Sequence, residues 1–283
     1  MSYQQYLKHV DSPGVLFSYE QTAGAMQLAA VAGHGTIEPT QRAVTVNGIR
    51  GSGRIGSFDF AQEDFLYLPA GWNQPIDYRI DGLLLVCQYA PVRDVPELAR
   101  GPILIPPGRA SGYIRVQYRG LSHGWGGDFA GFNPQGITYV DKLWGLSRDV
   151  LAQELTIPPG HIVPCHNHHR LGLPPDGRHA WQAYYVWQGS ARVDIGRSLS
   201  DIQTLQIGPG DVLIYPNGVA HNVIAGPQGC RYIFLEKKSV DDPLNLDLDS
   251  EKDYERRLSS RLDMDLASFI RLELARLAAA DSA

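Results

Sequence analysis

Apolar positions along this chain come in short runs rather than long stripes. Ala43–Val46, Phe65–Leu68, Leu83–Cys87, Val150–Ile157, Ala183–Trp187, Val212–Tyr215 and Tyr232–Leu235 are such runs, each flanked by Gly, Pro, Asn or Asp. Short apolar runs with this punctuation read as β-strands ended by turns. No regular helix pattern falls between them, so the chain is expected to be an all-β sandwich or barrel, not an alternating βαβ sheet. One segment differs. Leu258, Leu262, Leu266, Ile270 (or Phe269), Leu274 and Leu277 recur at helical steps. They predict a helix over 250–280, with Ser250 as N-cap and Glu251 and Asp253 in its first turn. Its expected role is to pack on the barrel or on another subunit.

Composition narrows the class. The chain has 283 residues, enough for one large domain or two of roughly 140. Its 30 glycines and 19 prolines suit a turn-rich β protein without reaching low complexity. A net charge of -5 leaves no basic footprint, so nucleic acid is not expected as a partner. The start, MSYQQYLKHV, has no apolar leader core, and the longest apolar run, Leu83–Cys87, is far short of a membrane span. The expectation is a soluble, cytoplasmic protein with no membrane partner. Three widely spaced cysteines, Cys87, Cys165 and Cys230, do not make a disulfide framework.

The chemistry concentrates in the second half. Five of nine histidines fall between 161 and 179: His161, His166, His168, His169 and His179. On a strand, His166 and His168 share a face because side chains alternate, and neutral imidazole is a common ligand for divalent transition metals. The spacing around them is specific. Gly160 is followed after five residues by His166-Asn167-His168; Gln182 by Gly189 after six; Gly210 by Pro216-Asn217-Gly218 after five, with His221 three further on. This resembles the paired motifs of the cupin superfamily.

The resemblance implies double-stranded β-helix (jelly-roll) barrels. It implies one divalent transition metal per chain (Fe, Zn, Mn or Ni) held by His166, His168 and His221. The family's glutamate position is Gln182, either a weak fourth ligand or only a hydrogen-bonding group. Thirteen residues separate His168 from Gln182, where the motif has three or four, and its last position is Ala225, with Asn222 nearby. Without a carboxylate the ion keeps its full charge, which favours an anionic or chelating substrate. His179, in the insertion, is a candidate acid or base, and Tyr184, on the face of Gln182, a second catalytic candidate. Trp181, His169 and Asn222 are candidates for the substrate pocket.

The first half repeats the pattern in worn form. Gln41 and Gly48 mirror Gln182 and Gly189, and Glu63-Asp64…Pro69-Ala70-Gly71 mirrors Gly210-Asp211…Pro216-Asn217-Gly218. Counting from these anchors places His34, Thr36, Gln41 and Gln74 at the first copy's ligand positions, a poor metal set. Gly48, Gly71, Gly189 and Gly218 read as turn residues. The chain is thus expected to be a bicupin: a degenerate N-terminal cupin at 1–92, a connection at 93–137, a metal-binding cupin at 138–240 and a helical tail at 241–283. Homodimers are common in the family and a homodimer is expected.

Three functions remain open. One is a metal-dependent isomerase of a sugar or sugar acid, given a likeness to the 5-deoxy-glucuronate isomerase and 4-deoxy-5-hexosulose-uronate ketol-isomerase families. That likeness rests on Pro164-Cys165-His166-x-His168, the insertion and Tyr184-Tyr185. Another is an iron-dependent dioxygenase, which the neutral Gln182 suits. The third is a non-catalytic metal- or small-molecule-binding module.

Overall fold

The computed structural model describes residues 3–20, 25–38, 42–90, 101–108, 118–119, 138–143, 147, 150–167, 171, 181–216, 218–237 and 264–280. A short 3₁₀ turn, Tyr3–Tyr6, leads into strand β1 (Leu7–His9). Then come β2 (Gly14–Tyr19), β3 (Ala25–Ile37), β4 (Ala43–Ile55), β5 (Phe58–Ala61), β6 (Phe65–Leu68), β7 (Ile76–Ala90) and β8 (Ile103–Ile105). The second half holds β9 (Tyr118–Arg119), β10 (Thr138–Asp141), β11 (Val150–Ile157), β12 (Ile162–His166), β13 (Trp181–Gly196), β14 (Gln203–Ile207), β15 (Asp211–Pro216) and β16 (Ala220–Lys237). Helix α1 (Leu266–Ala280) closes the order.

The strands form two sheets, and every pairing is antiparallel. One runs β2-β3-β7-β4-β6-β8, with β5 on β4; the other runs β1-β15-β13-β16-β11-β10-β9, with β12 on β16 and β14 on β13. The all-β expectation holds, and each expected strand lies within an observed one. Two pieces fall across the expected boundaries. β1, within 1–92, pairs with β15 of the second sheet, and β8, within 93–137, pairs with β6 of the first.

Each half wraps an apolar interior. In the first it is built from Val44, Val46, Phe60, Leu66, Ile80 and Leu84 among others. In the second it is built from Leu155, Val163, Val186, Val193, Leu213 and Phe234 among others. A third core lies between the halves. Along β13, Gln182, Tyr184 and Val186 alternate with Trp181, Ala183, Tyr185 and Trp187. Tyr184 and Val186 join the interior of the second half, and the alternate four join Met26, Phe65, Tyr67 and Cys87 between the halves. One strand therefore serves two cores because its side chains alternate.

Polar ties cross the same boundary. The indole N–H of Trp187 donates to the Gly48 carbonyl at 3.2 Å. Arg231 of β16 pairs with Glu63 at 2.6 Å and with Glu154, while Lys142 pairs with Glu154 at 3.0 Å. Glu63 is the one non-glycine residue with positive φ among those described, at 70°.

Gly48 and Gly189 are not in turns. Both sit inside long strands, at register shifts of β4 on β7 and of β13 on β16. A Cβ at Gly48 would stand 2.0 Å from the Ala61 carbonyl oxygen, and one at Gly189 2.0 Å from that of Gly229. The glycines permit a close backbone approach where the strand bends. Gly71 and Gly189 have positive φ, 81° and 71°, whereas Gly48 and Gly218 are not among the positive-φ glycines.

The helix also differs from expectation. The Ser268 N–H donates to the Asp265 carboxylate at 2.7 Å, and Met264 and Asp265 are non-helical, so Asp265 caps α1. A cap here ends any continuous helix from Ser250; residues 251–263 lie outside the described set. Leu266, Phe269 and Ile270 bury against Cys165, Leu171 and Ala220, on the outer face of β12 and β16.

Candidate functional site

The site is built where β12 meets β16. Val163 pairs with Val223 and His166 with His221, so β12 carries one extra residue between the two pairs. That bulge reverses the alternation. Val163 faces the interior, Cys165 faces out beneath α1, and His166 faces in again beside His221. The two rings lie 4.1 Å apart between centroids, both buried.

The tautomer of His221 follows from its partners. Nδ1 lies 3.2 Å from the Val219 carbonyl oxygen, which only accepts, so Nδ1 carries the proton. Nε2 therefore accepts, and the Tyr184 hydroxyl donates to it at 2.8 Å. A ring pinned in this way presents an imidazole lone pair to the interior. The Tyr215 ring packs 5.0 Å from His221, and Tyr184 packs against Tyr232 and Phe234. Burial and then the nearby Tyr184 push the Tyr215 hydroxyl well above the usual tyrosine range, so it stays protonated.

Gln182 is completely buried, and neither its amide oxygen nor its amide nitrogen has a hydrogen-bond partner among the described residues. Its Cα partners are Tyr215 on β15 and Glu236 on β16. Directly opposed residues share a face, so Gln182, Tyr215 and Glu236 form one inward-facing row. Glu236 is 2% exposed. It was not among the sequence candidates. The signal was present: Tyr232, Phe234 and Glu236 alternate along one strand face.

Other candidates fall elsewhere. Trp181 faces the core between the halves, 4.5 Å from Phe17 and 5.4 Å from Tyr19, because it alternates with Gln182. Asn222 alternates with His221 and faces out: the Asp194 N–H donates to its amide oxygen at 3.1 Å, and its amide nitrogen reaches Cys165 Sγ. Neither lines the interior, which corrects both pocket assignments. β12 ends at His166, and His168, His169 and His179 lie outside the described residues. All three cysteines are buried and none is in a disulfide.

Among its described residues the first half brings no such group together. His34 and Thr36 are exposed, and Thr36 donates to Asp77 at 2.7 Å. The inward position is between them. Gly35 pairs with Tyr78, and a Cβ on Gly35 would meet the Tyr78 hydroxyl at 2.6 Å. Gln74 is exposed, and Gln41 lies outside the described residues. Counting six residues back from the shared glycine misleads here, because β13 carries an additional bulge at Trp187. The β4-side residue with the facing of Gln182 is Arg42, which pairs with Glu20 at 2.9 Å. His34→Ala is accordingly expected to leave metal content unchanged by elemental analysis; a loss of half the metal refutes that reading of the first half.

Trp181→Ala is expected to act through stability. Losing an indole packed on three aromatic rings costs about 3–5 kcal/mol. Thermal unfolding should move down while metal stoichiometry stays; loss of metal at unchanged stability would restore Trp181 to the pocket.

No protein-family model matches this chain, and no curated protein does either. Solved structures do. A cupin 2 conserved barrel domain protein from Leptotrichia buccalis matches with TM-score 0.50 and 12% identity over 82% of this chain and 91% of that one. An oxalate decarboxylase from Lactobacillus farciminis, solved as a formate complex, matches with TM-score 0.50 and 13% identity over 83% of this chain and 86% of that one. At these identities the likeness is one of fold: the chain is built as cupin-type jelly-roll barrels. Among the described residues no helix is long and apolar enough to cross a membrane.

Proposed function

We propose that the second barrel is a metal-dependent isomerase of a small hydroxy-carbonyl compound of the sugar class. His166, His168 and His221 would hold one divalent transition metal. The observation that carries this is His221, whose Nδ1 is committed to Val219 while Nε2 opens onto the interior beside His166. Among the described residues no three His, Cys, Asp or Glu side chains come together. The described donors, two imidazoles and a buried amide, still suit such an ion. When bound, the ion supplies Lewis-acid polarisation of a substrate oxygen.

Interconverting an aldose and a ketose moves one proton between adjacent carbons and one between their oxygens, with no oxidant. Tyr184 would carry the oxygen-side transfer, a reading supported by its hydroxyl donating to a ring nitrogen in the interior. With an ion on that nitrogen, the Tyr184 hydroxyl would no longer donate to it and would have a substrate oxygen within its reach as an alternative. For the carbon-side proton the candidates are His179, from the sequence, and Glu236, on the inner face.

The neutral Gln182 favours a second reading, a three-histidine iron dioxygenase. Metal-reconstituted protein offered aldoses and ketoses in D₂O separates the two. Deuterium incorporation at the carbon next to the carbonyl, without oxygen consumption, supports the isomerase. Substrate-dependent oxygen uptake replaces it with the dioxygenase. Ligand binding with neither signal leaves a binding module.

A further inference from the structure

Behind the two inward imidazoles, the residue before His166 and the residue after His221 meet on the outer face. Val163 pairs with Val223 and His166 with His221, so Pro164 and Cys165 of β12 together stand opposite the single Asn222 of β16. The Asn222 amide nitrogen donates to Cys165 Sγ at 3.6 Å, a length set by the larger radius of sulfur. The Cys165 thiol donates in turn to the Met264 carbonyl, just ahead of α1, at 3.3 Å. The Asp194 N–H donates to the Asn222 amide oxygen at 3.1 Å. One line of hydrogen bonds thus runs from β13 through β16 and β12 to the entry of α1.

This line is sheltered from solvent. Asn222 is 6% exposed and Cys165 1%, so water is a poor substitute for either bond. The thiol accepts and donates at once, which a serine hydroxyl can also do and an alanine cannot. Packing adds to it. Cys165 and Ala220, the chain neighbours of His166 and His221, both bury against Leu266, Phe269 and Ile270 of α1. A residue and its chain neighbour share one stiff peptide unit. A shift of Cys165, Ala220 or Asn222 is therefore passed to an imidazole on the other face. Groups that orient metal ligands from behind are typically worth 10–100-fold in metal affinity.

We propose that Cys165 and Asn222 are positioning residues, a clasp that sets the spacing of His166 and His221 and couples the docking of α1 to metal binding. The clasp rests on the metal site proposed above and not on the isomerase reaction. Docked α1 holds Cys165 through the Met264 carbonyl, Cys165 holds Asn222, and the two imidazoles are kept at the separation an ion needs. Such coupling is reciprocal: what the docked helix adds to metal affinity, the metal returns to the docking of the helix.

The test is titration of the full chain with cobalt(II), whose visible bands follow the geometry of its ligands, together with amide exchange of α1 with and without cobalt. Cys165→Ala and Asn222→Ala should each weaken cobalt binding about ten-fold and shift the bands. Cys165→Ser should restore both towards the parent. Phe269→Ala, on α1 and outside the line of hydrogen bonds, should weaken cobalt as well. In the parent, cobalt should slow exchange in α1 about ten-fold, a comparison that needs no variant to fold. Parent-like affinity and bands in both alanine variants overturn the clasp, even if those variants melt lower. Exchange in α1 that is indifferent to bound cobalt overturns it too. A parent that binds no cobalt removes the metal site and the clasp with it. Cobalt binding that follows the clasp in a protein without turnover keeps the clasp and removes the isomerase alone.

Discussion

Purified His221→Ala protein is expected to carry no tightly bound divalent metal, against about one ion per chain in the parent. The reason is local. His221 is fully buried, its Nδ1–H is spent on the Val219 carbonyl, and its Nε2 lone pair is the one it turns to the interior. Tyr184 cannot replace that lone pair, since it approaches as a donor. His166→Ala should do the same, because the β12 bulge exists to return that ring to the inside face. The control is Tyr184→Phe. It removes a hydroxyl and no imidazole, so metal content should hold while turnover falls about 100-fold or more, the usual worth of a positioned proton carrier. Stoichiometric metal in both histidine variants would place the ion elsewhere and dissolve the site as drawn.

The second large effect is on stability. Glu154→Gln is expected to cost about 3–5 kcal/mol, the range for breaking a buried ion pair from one side. Glu154 accepts from Lys142, Arg231 and the Gly108 N–H, and the Lys142 side chain is fully buried. Burial pushes the Glu154 carboxyl up, but Lys142, Gly108 and Arg231 together outweigh it and hold it below the ordinary glutamate range. A depressed carboxyl stabilises the fold above its unfolded value, near about 4.3, and that contribution fades as pH falls through the folded value. Glu63 has the opposite sign. Burial, only partly offset by Arg231, lifts its carboxyl, so its ionised form is tolerated rather than favoured. Glu63→Gln should therefore be close to neutral at pH 7, although it touches the same arginine. Denaturant melts of both variants from pH 7 to pH 3 check this. Glu154→Gln should flatten the acid limb and Glu63→Gln should steepen it; equal losses at pH 7 would show that Glu63 is held as firmly as Glu154.

Much of the strand placement was legible because each strand named from the sequence holds a short apolar run near turn residues, signals that sit within a few residues of one another. The inward facing of Gln182 and Tyr184 was legible for the same reason, as alternation needs no partner. What escaped depends on pairing. The bulge that turns His166 inward exists only with respect to β16, and the one at Trp187 is why Gln41 is not the counterpart of Gln182. Glu236 escaped because it reads as the polar end of a strand, and only its place opposite Gln182 shows that it lies inside. The N-cap at Asp265 escaped because the leucine repeat runs past it and points to an earlier start.

The docking of residues 3–9 sets an order of events for a chain emerging from the ribosome. Tyr3 is buried in the interior of the second half, its N–H on Gln203, 200 residues away, and its hydroxyl on Asp201. β1 waits equally long for β15. Residues 3–9 are thus made about 200 residues ahead of their partners and are among the last to find their places, and closing so long a loop is slow. During synthesis the first half can assemble while the leading segment hangs free, with an apolar strand edge uncovered. Extending the chain ahead of Tyr3, or cutting away its first ten residues, should therefore slow the final assembly of the second barrel more than the first.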